Sequence, residues 1–109
     1  MKKLLWFVFV TGFLFLSAVI SADEGESIFK SNGCGACHKP ETSPAGRPSL
    51  KEISKAYHGK EKQLDTYFKG KSEPIINPEK ASTMKRYIEK TKALSDADRK
   101  LLVDHLLKH

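Results

Sequence analysis

The chain has 109 residues, 19 Lys and Arg against 13 Asp and Glu, a formal charge of +6, and two cysteines. That length sets one domain as the ceiling, and two cysteines exclude a disulfide-rich framework. No pattern of arginines interleaved with aromatics accompanies the charge, so nucleic acid is not an expected partner.

Lys2 and Lys3 precede an apolar run over residues 4–20, and the small residues Ser21 and Ala22 stand before Asp23. This is the layout of a secretory signal, which divides the chain into a signal peptide at 1–22 and one domain at 23–109. Cleavage after Ala22 predicts a soluble periplasmic protein. The run is also at the short edge of a bilayer span, so the alternative is an uncleaved anchor, with membrane contact otherwise only transient. A domain of roughly 87 residues has a thin core and needs a staple. A Cys34–Cys37 disulfide would close a very short loop and remove little unfolded-state entropy, so a cofactor or metal is the expected staple.

Asp23 and Glu26 predict a capping box, with Gly25, Ile28 and Phe29 on one helical face until Asn32 and Gly33 stop the pattern. Pro40, Pro44, Gly46 and Pro48 make the next stretch a loop. Ser49 and Glu52 form a second capping box ahead of Leu50, Ile53 and Tyr57, a helix that Gly59 ends. Leu64, Tyr67 and Phe68 mark a third helix, closed by Gly70. Asn77 followed by Pro78 predicts an N-cap with proline at the first helical position, and the helix runs on through Met84, Tyr87, Ile88 and Thr91. Ser95 with Asp96 and Asp98 starts the last helix, lined by Leu101, Leu102 and Leu106. No strand signal occurs, so the domain reads as all-α with about five short helices.

The informative run is Cys34-Gly35-Ala36-Cys37-His38, since C-x-x-C-H is the attachment site of a c-type haem. Two thiols at this spacing can each add across a haem vinyl group, and the adjoining imidazole then reaches the iron. A redox dithiol usually sits among strands, and a structural zinc usually takes four Cys or His ligands, where this chain has no second cysteine pair. One haem, covalent through Cys34 and Cys37 and ligated by His38, is therefore expected. Once Met1 leaves with the signal, Met84 is the remaining thioether. Its helical face is shared with Tyr87 and Ile88, so it reads either as core filler or as the second axial ligand, and the haem motif favours the ligand. Of the other histidines, His58 sits at a helix-ending turn, His109 at the terminus and His105 at a packing position on the last helix.

These residues resemble the class I c-type cytochromes, in particular the small monohaem bacterial ones with an extra helix in the methionine loop. The resemblance spans 23–109 and rests on Gly25 with Phe29, Cys34 to His38, Pro48-Ser49-Leu50, the 53–70 segment, the 77–84 stretch and the leucine-rich last helix. It implies five helices around one covalent haem, with His38 and Met84 ligating iron from opposite faces. It further implies that the Pro48 carbonyl holds the other ring nitrogen of His38, that Leu50 packs on the haem, and that Gly25 admits the last helix closely. Two positions depart from the family: Arg47 stands where glycine precedes the proline, and His105 where the last helix offers an aromatic ring.

A saturated His/Met haem leaves no coordination position for substrate, which implies a monomeric electron carrier serving respiratory or sulfur-oxidation redox partners. Lys39, Lys51, Lys55, Lys85 and Lys90 are expected near the haem crevice, where they would either solvate helix faces or steer acidic docking surfaces. The alternative is a haem subunit of a sulfur-oxidising enzyme or a ligand-binding, peroxidase-like protein. That reading needs an acid or base over the distal face, and the sequence around Met84 offers Lys85, Arg86 and Glu89 but no histidine.

Overall fold

The computed structural model describes residues 21–44 and 46–109. The apolar run of the predicted signal or anchor lies outside them, and no helix among the described residues is long and apolar enough to cross a membrane. Five α-helices follow in order: α1 (Ser21–Ser31), α2 (Leu50–Ala56), α3 (Glu61–Phe68), α4 (Ala81–Lys92) and α5 (Asp96–Leu106). Single 3-10 turns occupy Cys34–Ala36 and Pro78–Lys80, and the described residues contain no strand.

The local signals act where chemistry predicts. Ser49 caps α2 reciprocally with Glu52: the Glu52 amide donates to Ser49 Oγ at 3.1 Å, and the Ser49 amide donates to Glu52 Oε1 at 2.8 Å. At α5 the Asp98 amide donates to Ser95 Oγ at 3.1 Å. Gly59 and Gly70 both take positive φ, 72° and 76°, and so stop α2 and α3 in conformations that cost a residue with a β-carbon.

Two predicted helix starts are corrected. The first helix already includes Ser21 and Ala22, so Asp23 lies within it and is not its cap. Neither Ser21 nor Ala22 breaks a helix, and alanine favours one. Asn77 is not a side-chain cap for a long helix: it adopts the left-handed conformation with φ 46°, which asparagine tolerates better than most residues. Pro78 then opens a 3-10 turn, fixed by the Lys80 amide donating to the Asn77 carbonyl at 2.8 Å, and α4 begins only at Ala81.

The α1 and α5 helices cross at Gly25, where a β-carbon would lie 2.5 Å from the Leu101 carbonyl oxygen and 2.8 Å from His105 Cβ. Next to the crossing, the Phe29 and His105 rings pack with centroids 5.4 Å apart. Leu64, Phe68, Leu102 and Leu106 bring α3 and α5 into one core with Phe29, Ile53 and Tyr57. Full burial of each such side chain contributes about 1.5–3 kcal/mol.

Two buried polar side chains tie this frame together. Arg99, 3% exposed, donates from Nε to Asp65 Oδ1 at 2.9 Å and from Nη1 to the Leu94 carbonyl at 2.8 Å, and its Nη2 pairs with Asp96. Thr91 Oγ1 donates to the Phe68 carbonyl at 2.8 Å, fastening α4 to the end of α3. Both contacts join residues far apart in sequence, and α3, α4 and α5 are thereby held around one side of the site.

Candidate cofactor site

The five-residue cysteine and histidine motif leaves α1 through Gly33, whose φ of 80° turns the chain sharply. The amides of Cys37 and His38 then both donate to the Cys34 carbonyl, at 3.2 and 3.1 Å. This tight turn sets Cys34, Cys37 and His38 into the wall of one cavity, and both thiols are free.

His38 Nδ1 lies 2.7 Å from the Pro48 carbonyl oxygen. A carbonyl can only accept, so Nδ1 carries a proton, and the tautomer this selects has its lone pair on Nε2. This is the arrangement by which a backbone acceptor orients a metal-binding imidazole and raises its basicity. Arg47 before Pro48 does not prevent it. Pro48 is placed by Ser49 and the capped start of α2, and by the Leu50 amide donating to the Lys39 carbonyl at 2.8 Å.

The cavity is open on one side, and its wall is almost entirely apolar. Five of the six residues read as the site line it together: Cys34, Cys37, His38, Pro48 and Met84. Leu50 does not; it is buried in the adjoining core. His38 is the one histidine in the wall, and Met84 supplies the sulfur outside the cysteine motif. His58 is exposed, and His105 and His109 pack edge to face with centroids 5.2 Å apart, away from the cavity lining.

Aromatic and aliphatic side chains make most of the remaining wall, among them Phe29, Tyr57, Leu64, Tyr67, Phe68 and Ile76. Burial pushes the Tyr67 phenol up to about 12, helped by neighbouring Tyr57 and Glu73, so it stays neutral. Burial also raises the Cys34 thiol, with the Lys90 charge pulling partly the other way. Tyr57 rises by burial too, and its hydroxyl accepts the Ile75 amide at 3.1 Å, which pins the irregular segment before Asn77 to α2. A flat apolar macrocycle carrying a metal fits this donor set: two thiols in one turn, an oriented imidazole, a thioether and a dry wall.

The cations sort into distinct groups around the mouth. Lys39 Nζ donates to the Gly35 carbonyl at 3.0 Å, and Lys80 lines the cavity, its Nζ 2.7 Å from where a Gly46 β-carbon would stand. Arg86 and Lys90 both sit over the Tyr87 ring, at 5.5 and 5.4 Å from its centre. Lys51 pairs with Glu41 at 3.8 Å, and Lys55 and Lys85 are exposed outside the wall. Lys80 was not legible as a wall residue, because the 3-10 turn that places it depends on where the chain returns. The roles of Tyr57 and Thr91 were partly legible, as apolar-face positions without their hydrogen bonds.

Comparison with known proteins bears on this geometry. The family described as Cytochrome c matches residues 22–109. A cytochrome c-551 from Stutzerimonas stutzeri is 35% identical over 81 residues, which cover 72% of this chain and 77% of the relative.

Proposed function

Because this chain belongs to the cytochrome c family and is a haem electron carrier, we propose that it works in the periplasm as a monomer with one haem, bound through Cys34 and Cys37 and held by His38 and Met84. One observation carries the axial assignment. The only imidazole in the cavity wall has its Nδ1 committed to the Pro48 carbonyl, and Met84 is the non-cysteine sulfur in that wall.

Haem, when bound, supplies an iron that alternates between ferrous and ferric by one electron. The protein's residues set the terms of that exchange. His38 is oriented by its bond to the Pro48 carbonyl, and a fixed ligand limits rearrangement between the two states. A thioether ligand raises the reduction potential, and the apolar wall raises it further by disfavouring the extra positive charge of the oxidised form. Phe29, Leu64, Tyr67 and Phe68 exclude water from the same space. Among the described residues, no carboxylate and no second imidazole lines the cavity, which favours electron transfer over a peroxidase-like reading.

Its partners are redox proteins with acidic docking surfaces, met through the cations at the cavity mouth. Acidic partners approach such a rim faster at low salt. Export rests on Lys2, Lys3 and the 4–20 apolar run, with cleavage after Ala22. Intact-mass measurement of protein purified from the periplasmic fraction tests the cofactor and the boundary together. The expected mass is that of residues 23–109 plus one haem, retained through acid and organic extraction. A bare-chain mass overturns the covalent haem, and an intact N-terminus in the membrane fraction overturns cleavage.

A further inference from the structure

Two imidazoles come together outside the cavity, past the end of the last helix. α5 closes at Leu106, and the Lys108 amide then donates to the His105 carbonyl at 3.3 Å, so one further turn carries His109 back over His105. Side chains four apart on such a turn share a face. The rings meet edge to face, with centres 5.2 Å apart and planes at 87°. His105 is half-buried and packs on the Phe29 ring at 5.4 Å, whereas His109 is exposed, so one imidazole is seated and the other is open to water. Neither ring hydrogen-bonds to a described residue, in contrast to His38, whose Nδ1 is committed to Pro48. Burial, with the neighbouring His109 acting the same way, keeps His105 below its ordinary pKa, so its ring is neutral at pH 7 and carries a lone pair.

Imidazole nitrogen suits zinc, copper and nickel, whereas calcium and magnesium take oxygen ligands. Two imidazoles bound through nitrogen to one tetrahedral ion, each at about 2.0–2.1 Å, have ring centres about 5 Å apart, and tetrahedral geometry is the preference of zinc. We infer that His105 and His109 form a two-point chelate for a zinc(II) ion, separate from the haem cavity. Each imidazole replaces one water on the ion, and no oxidation state changes. Glu26 on α1 lies within electrostatic range of both rings, but Lys30 holds its carboxylate at 3.1 Å. No group of three His, Cys, Asp or Glu side chains among the described residues is assembled for a metal, so water completes the shell and the ion is exchangeable. Coordination clips the end of the chain onto the α1–α5 crossing through His105 and Phe29, and an ion that binds the folded arrangement stabilises it. Neither histidine lines the cavity, so the site goes beyond the electron-carrier reading.

The test is calorimetric titration of the haem protein with zinc chloride at pH 7 in a non-chelating buffer, for wild type, His109→Ala, His105→Phe and His58→Ala. His58 is a solitary exposed histidine and serves as the control. Wild type and His58→Ala should each take up one ion with the same Kd. His109→Ala and His105→Phe should each bind at least about tenfold more weakly, since the second contact of a chelate is intramolecular and is lost with either ring. His109→Ala changes an exposed side chain, and His105→Phe keeps a ring against Phe29. The melting temperature of the wild type should rise with zinc concentration, and that of His109→Ala should rise much less over the same range. Wild-type affinity in His109→Ala, or in a folded His105→Phe, overturns the chelate, as does an equal loss in His58→Ala. A wild type that shows no saturable uptake overturns the site itself. Should His105→Phe fail to fold, His109→Ala against wild type and His58→Ala decides alone.

Discussion

Gly25 and Leu101 approach so closely that the α-carbon of one and the carbonyl of the other leave no room for a methyl group: a β-carbon on Gly25 would stand 2.5 Å from the Leu101 oxygen. The obstacle is helix backbone, which cannot rotate away as a side chain can. In an exposed helix, exchanging glycine for alanine gains up to about 1 kcal/mol. Here Gly25→Ala should lose about 1–3 kcal/mol, the usual cost of overpacking, because α1 and α5 must separate. Denaturant titration of the haem protein checks the sign.

Arg99 should be the costliest single polar residue outside the site. Arg99→Met removes the guanidinium from Asp65, Asp96 and the Leu94 carbonyl. Breaking a buried ion pair by deleting one partner costs about 3–5 kcal/mol, and the lower end applies because Asp65 keeps Lys69 at 3.2 Å. A double variant, Arg99→Met with Asp65→Leu, should recover part of that loss in the same chemical melt, since the one carboxylate it leaves without Arg99 is Asp96, which is exposed to water.

These two positions mark how far sequence reasoning reached. The α2 cap was legible because Ser49 and Glu52 are three residues apart, and the cysteine motif because its chemistry sits within five residues. The crossing at Gly25 came only through a family resemblance, since the partner helix lies at the far end of the chain. Arg99 gave no signal at all: on its own helix it reads as another solvated cation, and Asp65 is 34 residues away. Asn77 misled because asparagine suits both a helix cap and a left-handed turn, and only the path of the chain into Pro78 decides between them. The convergence of five predicted site residues on one cavity, with Leu50 left behind it, is likewise a property of tertiary packing.

The pH dependence of stability should carry a contribution from His105. Burial against Phe29 and the neighbouring His109 hold its pKa below the ordinary 6.5, with Lys108 and Lys30 acting the same way and Glu26 opposing. The neutral ring therefore stabilises the fold fully above the unfolded value, and that contribution is lost as pH falls through the lower folded value. Between pH 7 and 5 the wild type should lose more stability than His105→Phe. Parallel stability curves for the two proteins contradict this.

Removing the cofactor should remove the fold's cooperativity. The cavity is walled by core residues of α1, α2, α3 and α5, including Phe29, Ile53, Leu64 and Leu102, so without an occupant these side chains face an open void. Cys34→Ala with Cys37→Ala, isolated without haem, should show a broad, weakly cooperative thermal transition where the haem protein melts sharply. A sharp melt of the haem-free variant contradicts the claim that the cofactor completes the core.

The most direct measurement of the central claim is the far-red spectrum of the oxidised protein, taken for wild type, Met84→Ala and His105→Ala, together with their reduction potentials. With His38 and Met84 as the axial pair, wild type and His105→Ala show a weak thioether-to-iron charge-transfer band. Met84→Ala loses the band, binds cyanide readily and falls in potential, because water or a nitrogen donor stabilises ferric iron better than a thioether does. A Met84→Ala protein that keeps the native spectrum and potential, while His105→Ala loses both, makes the iron bis-histidine and Met84 a core residue.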